Sequence, residues 1–294
     1  MSDRKRPNDA MYLSGSTLPK VPASPVLEKW TREAIASGVV ANMGDLAHLV
    51  KENPDAAVSR IAQIHWETTK PDGPLSAAEC GTRVHAFMEA WLLGQPTPEC
   101  RPDEWEQVAP FVNNLAEWMS DWKPEPVLVE QVVFNHYAGV AGRLDAMVRF
   151  GKGPLADGLP KLIDLKCKMK AYTNRGYPQK PYGDAVAPQL SGYKWAEGAW
   201  TQPTEPRINT RKSRHYLLSA DERAQLTPLS ELTGCAAEEI DTHIIQVTPL
   251  STRVFEIDSG PEQLEFVKAL ADVARLKDKA REWVSDPLYI GTEE

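Results

Sequence analysis

The segment Lys161–Lys170, KLIDLKCKMK, narrows the choice of folds more than any other part of this chain. Ile163, Leu165, Cys167 and Met169 alternate with polar residues, the period-two pattern of a half-buried β-strand. Successive side chains of a strand point to opposite faces, so Asp164 and Lys166 share one face while the apolar set packs on the other. A carboxylate and an ammonium at i, i+2 beside a core strand form a compact place to hold a metal and polarise a phosphate. A D-x-K triplet is also common by chance, and a solvated charge pair on an edge strand reads identically. Its weight comes from the flanking chain.

Upstream, VLVEQVVFNH and GVAGRLDAMVRF surround a short His136–Gly139 turn and read as a β-hairpin, with Glu130 in the first strand and Asp145 in the second. Three acids and a lysine on consecutive strands of one sheet can converge. Clustered acids in a partly apolar setting are neutralised well by a divalent cation. Earlier still, Ser76 and Glu79 form a capping box, with Leu75 and Cys80 as a hydrophobic staple, for a helix running to Leu93. Its inward stripe is Val84, Met88, Trp91 and Leu92, while Gly81, His85 and Glu89 fall on a neighbouring face. A second helix spans Pro102 to Trp122, with Trp105, Val108, Val112, Leu115 and Met119 inward and Pro110 bending it.

Downstream, Tyr172, Tyr177 and Tyr182 interleave with Lys170, Arg175 and Lys180, a pattern suited to stacked bases and phosphates and equally to an ordered surface loop. Gln189 and Tyr193 lie one turn apart on a helix expected over Ala185–Trp200. A hairpin from His243 to Asp258 and a helix from Pro261 to Val284, with Leu264, Val267, Leu270, Val273 and Leu276 inward, close the chain. At the other end, residues 1–24 read as a flexible arm and residues 25–74 as a helical region, with helices over Pro25–Ser37 and from Asn53-Pro54 onward. In that second helix Val58, Ile61, Ile64 and Trp66 form the apolar stripe.

Composition sets the boundaries. The net charge of −8 argues against a protein that coats a polyanion with its whole surface, yet Lys161–Lys180 holds six basic residues against Asp164. A second basic cluster is Arg207, Arg211, Lys212 and Arg214. No apolar run reaches membrane-spanning length, and MSDRKRPND has no apolar segment behind its charges, so neither anchor nor signal peptide is expected. The four scattered cysteines read as reduced thiols of a cytoplasmic protein.

The series Gly81–His85 (GTRVH), Glu130, Gly142–Asp145 (GRLD), Ile163–Lys166 (IDLK) and Gln189–Tyr193 (QLSGY) resembles, in order and spacing, the motifs of the PD-(D/E)XK nuclease superfamily in its RecB-like, phage-type exonuclease branch. The resemblance covers Gly81 to Tyr193 and implies an α/β (α+β) fold, a central mixed sheet flanked by helices over residues 75–294. It implies that Asp145, Asp164, the carbonyl of Leu165 and His85 hold one or two Mg²⁺ or Mn²⁺ ions. Lys166 would orient the attacking water, Gln189 and Tyr193 would steady the site and contact DNA, and Glu130 matches an acid often found in these strands. Lys168, Lys170, Arg175 and Lys180 would track the DNA backbone. Some relatives carry an iron–sulfur cluster on a downstream cysteine trio; only Cys235 follows the QLSGY helix, so no cluster is expected. The expected function is a metal-dependent DNA exonuclease of recombination, repair or phage DNA processing, with a recombination annealing protein as an implied partner. An endonuclease of the same superfamily and a non-catalytic DNA-binding scaffold are the competing readings.

Overall fold

A computed structural model describes residues 10–14, 36, 39–40, 42–69, 74–172, 176–181, 183–209 and 215–280. Strand β1 (Ala10–Ser14) precedes helices α1 (Met43–Glu52), α2 (Pro54–Thr69), α3 (Ala77–Leu92) and α4 (Pro102–Trp122). Strands β2 (Pro124–Val129), β3 (Val132–Asn135), β4 (Val140–Arg143), β5 (Ala146–Phe150) and β6 (Lys161–Cys167) follow. After helix α5 (Gly183–Lys194) come β7 (Gly198–Ala199), β8 (Arg207–Asn209) and β9 (His215–Leu218). Helix α6 (Ala220–Arg223), β10 (Thr227–Pro228), α7 (Leu229–Thr233), β11 (Asp241–Val247), β12 (Thr252–Ile257) and α8 (Pro261–Ala280) complete the described chain.

The strands form two mixed sheets, in the orders β12-β11-β6-β5-β2 and β10-β7-β3-β4-β1-β9-β8. The fold is therefore mixed α/β. In the five-stranded sheet β6 pairs with β11 in parallel and with β5 antiparallel, so it is central and buried on both faces rather than half-buried. Ile163 and Leu165 join Ala146, Val148, Ile245 and Val247 against Cys80, Val84 and Met88 of α3 and Phe111 and Leu115 of α4. Leu162, Met147 and Ile244 face the other way, onto Val186, Leu190 and Tyr193 of α5. Alternation along each strand thus feeds two cores at once. Burying this many aliphatic and aromatic side chains, at roughly 1.5–3 kcal/mol each, is the main source of cohesion.

The hairpin expected over residues 127–150 is broken. β2 and β5 pair in the five-stranded sheet, whereas β3 and β4 pair in the seven-stranded one. The crossing falls at Glu130–Gln131 and Leu144–Asp145, where Glu130 adopts φ 50°. Two backbone hydrogen bonds carry the pairing through the bend, Glu130 N–H to the Asp145 carbonyl (3.0 Å) and Leu144 N–H to the Gln131 carbonyl (3.0 Å). Glu130 and Asp145 therefore sit between strands, not within them.

Other expectations shift. Residues 10–14 are not part of an arm: β1 lies inside the seven-stranded sheet, parallel to β4 and antiparallel to β9, with Tyr12 and Leu13 buried. Helix α5 ends at Lys194 instead of Trp200, because Gly198 and Ala199 pair with Phe134 and Val133 of β3. Trp91 and Trp105 are exposed, the inward positions being taken by Ala90 and by Phe111 and Trp118. On α8, Ala271 and Ala274 are buried while Val273 and Leu276 face out, since small residues let the helix approach the seven-stranded sheet closely. Val58 is exposed, and nothing is described for the side chains of Ile64 and Trp66. The Asn53 side chain caps α2 as expected, accepting from Ala56 N–H at 3.1 Å. The rest of the arm, the helix expected over 25–37 apart from residue 36, and residues 281–284 of the last helix lie outside the described residues.

Candidate metal centre and catalytic site

Three elements bring the acids and the histidine together. Ser76 accepts from Glu79 N–H and the Glu79 carboxylate accepts from Ser76 N–H, which fixes where α3 begins. Eight residues on, His85 points at the sheet crossing, its Nδ1 3.5 Å from Asp145 Oδ2. Gly81 sits one turn before it, facing Cys167 at the end of β6: a Cβ at 81 would stand 3.9 Å from the Cys167 Cβ. His85, Glu130 and Asp145 each offer a ligand atom within 4.8 Å of the others, and each is half-buried.

Asp145 is held from the sheet side. Its Oδ2 accepts from Leu165 N–H at 2.7 Å. In a strand the N–H and C=O of one residue point to the same side, so the Leu165 carbonyl faces the same way, beyond the last β5–β6 pair at Ala146 and Ile163. The amide of Leu165 is thus tied to Asp145, and its carbonyl lies on the side of the site.

Asp164 is not in the three-residue group. It is 2% exposed, and its Oδ2 has only an ion pair to Lys166 Nζ (2.5 Å), with no hydrogen bond of good geometry. Gln189 of α5 reaches its other oxygen, Nε2 donating at 3.4 Å. The expected i, i+2 neighbourhood of Asp164 and Lys166 is present, and it makes a pair.

The electrostatics follow from burial and crowding. Glu130 is pushed up to about 7, by burial first and then by the charges of Asp145 and Glu89, with Arg143 opposing. Burial also raises Asp164, with Asp145 adding and Lys166 opposing. Burial works against the charge of Lys166, yet Asp164 and Asp145 outweigh it and raise its pKa. Such a site carries more negative potential than its one lysine offsets.

Of the expected DNA contacts, Tyr193 is buried, hydrogen-bonded to Gln189, and packed against Gly142; burial raises its phenol pKa. It packs inside the fold and offers no surface for DNA. Lys170 and Lys180 are exposed, Lys168 is half-buried with its pKa lowered by burial and then by Lys166, and Arg175 and Tyr182 lie outside the described residues. The loop is docked on the last hairpin: Gln246 Nε2 donates to the Gln179 carbonyl (2.8 Å) and Arg253 lies over the Tyr172 ring at 5.3 Å. In the second basic cluster Arg207 pairs with Glu222, and residues 211–214 are not described.

Two neighbours of the site were named in the sequence without a role. Glu89, one turn beyond His85, acts on Glu130. Arg143, the second residue of GRLD, donates to the Glu130 carbonyl at 2.9 Å. Its place inside a motif whose other polar member is Asp145 was the available signal. Among the described residues no helix is long and apolar enough to cross a membrane.

No protein-family model matches the chain, and no curated protein is similar to it. Among solved structures, the protein SSO0001 aligns at 16% identity with a TM-score of 0.29, over 67% of this chain and 71% of that one, a likeness too slight to bear on fold or function.

Proposed function

We propose that the protein is a metal-dependent DNA exonuclease built on a PD-(D/E)XK nuclease core. The observation that carries the reading is the meeting of His85, Glu130 and Asp145 within 4.8 Å, beside the Asp164–Lys166 pair. Two carboxylates and one imidazole suit Mn²⁺ or Mg²⁺, and a divalent cation offsets the burial and the repulsion that push Glu130 up to about 7. When bound, the ion supplies a Lewis acid for the nonbridging phosphate oxygens and a water of lowered pKa.

The chain's own residues do the rest. Lys166, kept charged by Asp164 and Asp145, orients the attacking water and offsets charge building on the scissile phosphate. Asp164 sets the position of Lys166, and Gln189 sets that of Asp164. Lys170 and Lys180 meet the backbone phosphates through charge alone.

The test compares end-labelled linear duplex with covalently closed circles of the same sequence, in Mg²⁺ and in Mn²⁺. Progressive loss of the linear DNA with intact circles, abolished in a folded Lys166→Ala protein, is the expected result. Rapid cutting of the circles would make the enzyme an endonuclease. Tight binding without cleavage of any substrate would leave a DNA-binding scaffold.

A further inference from the structure

The sheet crossing at Glu130 poses a structural problem that one side chain solves. A non-glycine residue at φ 50° is uncommon, and it persists where the surroundings over-determine it. The Glu130 N–H is used by the Asp145 carbonyl, and the residue's other peptide group, its carbonyl, also needs a partner. Arg143, in register with Val132 on the facing strand, donates from Nη1 to that carbonyl at 2.9 Å. The same guanidinium holds Nε 3.9 Å from Glu130 Oε2, near enough to favour the ionised carboxylate and too far to occupy its lone pair. Its remaining arm, Nη2, donates to Glu205 Oε2 at 2.6 Å. Glu205 lies in the turn after β7, where Gln131 also anchors, through its side-chain amide to the Trp200 carbonyl. One planar fork thus grips the backbone and faces the carboxylate of Glu130, and is itself gripped from a segment sixty residues further on.

Resting on the cation site proposed above, we infer that Arg143 is the positioning residue that presents Glu130 to the metal, with Glu205 as the residue that aims Arg143. Stability alone gives a poor reason for this arrangement. The side chains of Arg143 and Glu205 are 38% and 68% exposed, and ion pairs that open to water add little to folding. Groups that orient a metal ligand, in contrast, commonly change affinity by a factor of 10 to 100 when removed. Arginine suits the task because a lysine has one point of charge and cannot bridge a carbonyl and two carboxylates from a rigid plane.

The test is Mn²⁺ binding to the full-length protein by titration calorimetry, with thermal unfolding in chelator alongside. Arg143→Gln is expected to weaken Mn²⁺ by about 10-fold while the melting temperature of the chelated protein stays within about 2 °C. Arg143→Lys recovers part of that loss, and Glu205→Gln gives a smaller loss of about 3-fold. The decisive comparison is the double variant Glu130→Gln/Arg143→Gln, which binds no more weakly than Glu130→Gln alone if Arg143 acts through Glu130. Additive losses, or unchanged affinity in Arg143→Gln, would overturn the inference. His85→Ala and Asp145→Asn separate it from the parent reading: if neither weakens Mn²⁺ there is no metal site, whereas loss in both with Arg143→Gln unaffected removes only the role of Arg143.

Discussion

At the scale of single residues, Glu130 makes stability depend on pH. Its carboxyl is pushed up to about 7 by burial, Asp145 and Glu89, from an ordinary value near 4.5. A folded-state pKa above the unfolded one contributes stability that is complete below about pH 4.5 and is lost as pH rises through about 7. Asp164 is raised for similar reasons and adds a loss of the same sign. In chelator, the melting temperature of the protein is therefore expected to fall across that window. Glu130→Gln, neutral at every pH, flattens part of the slope and is more stable than the natural protein at pH 7.5 by about 1–2 kcal/mol, less than the full shift because a quarter of the side chain meets water. On the proposed metal site, added Mn²⁺ is expected to reverse the order, since only the natural carboxylate gains from the ion. Differential scanning calorimetry at several pH values decides it; identical slopes for the two proteins would mean that Glu130 is not strained by its neighbours.

Residue types in sequence foretold much of this site. His85, Asp145, Asp164, Lys166 and Gln189 are all brought together, because motif spacing records which residues must meet. What spacing does not record is division of labour. Asp164 turns to Lys166, and Glu130, the acid with the least defined role, completes the group with His85 and Asp145. That depends on where a strand bends, and the run from Val127 to Phe134 is apolar and β-branched on both sides of Glu130, leaving no mark of the bend in its periodicity.

At the scale of elements, the crossing hairpin and α5 are fitted to each other through a glycine. A Cβ at Gly142 of β4 would stand 2.6 Å from the Tyr193 Cζ, and Tyr193, 3% exposed, has nowhere to go. Gly142→Ala is expected to destabilise the fold by about 1–3 kcal/mol, read as an earlier urea midpoint with an unchanged slope. It should also disturb Gln189, which hydrogen-bonds Tyr193 and Asp164 alike. A midpoint equal to that of the natural protein would show that α5 packs elsewhere. Helices α3 and α4 and the β11–β12 hairpin were legible from local signals: the capping box, the proline at the start of α4, and alternation around a short turn. Strand β1 was not, since five residues in a polar, proline-rich stretch pair only with strands more than a hundred residues away.

At the scale of the whole molecule, β1 is the seam of the seven-stranded sheet. It alone hydrogen-bonds β4 on one side and β9 on the other. A chain beginning at residue 15 would leave both with open edges, the condition that invites association between copies. Deleting residues 1–14 is expected to yield a protein that self-associates in size-exclusion chromatography. Its seven-stranded sheet should lose hydrogen-exchange protection, while β5, β6 and β11 keep theirs. A monomeric, fully protected product would show that β4 and β9 close up without it.

This seam also sets a clock. Leu13 pairs with Val140 and with His215, so β1 can meet β4 only after some 130 further residues have been made and β9 only after some two hundred. At 5–20 residues per second, that is roughly 10–40 s of synthesis before both sides of β1 can be paired. The five-stranded sheet closes in its turn only when β11 arrives after β9, so the two sheets mature within seconds of each other. Every residue of the acidic centre is thus made well before the sheets that hold it are complete.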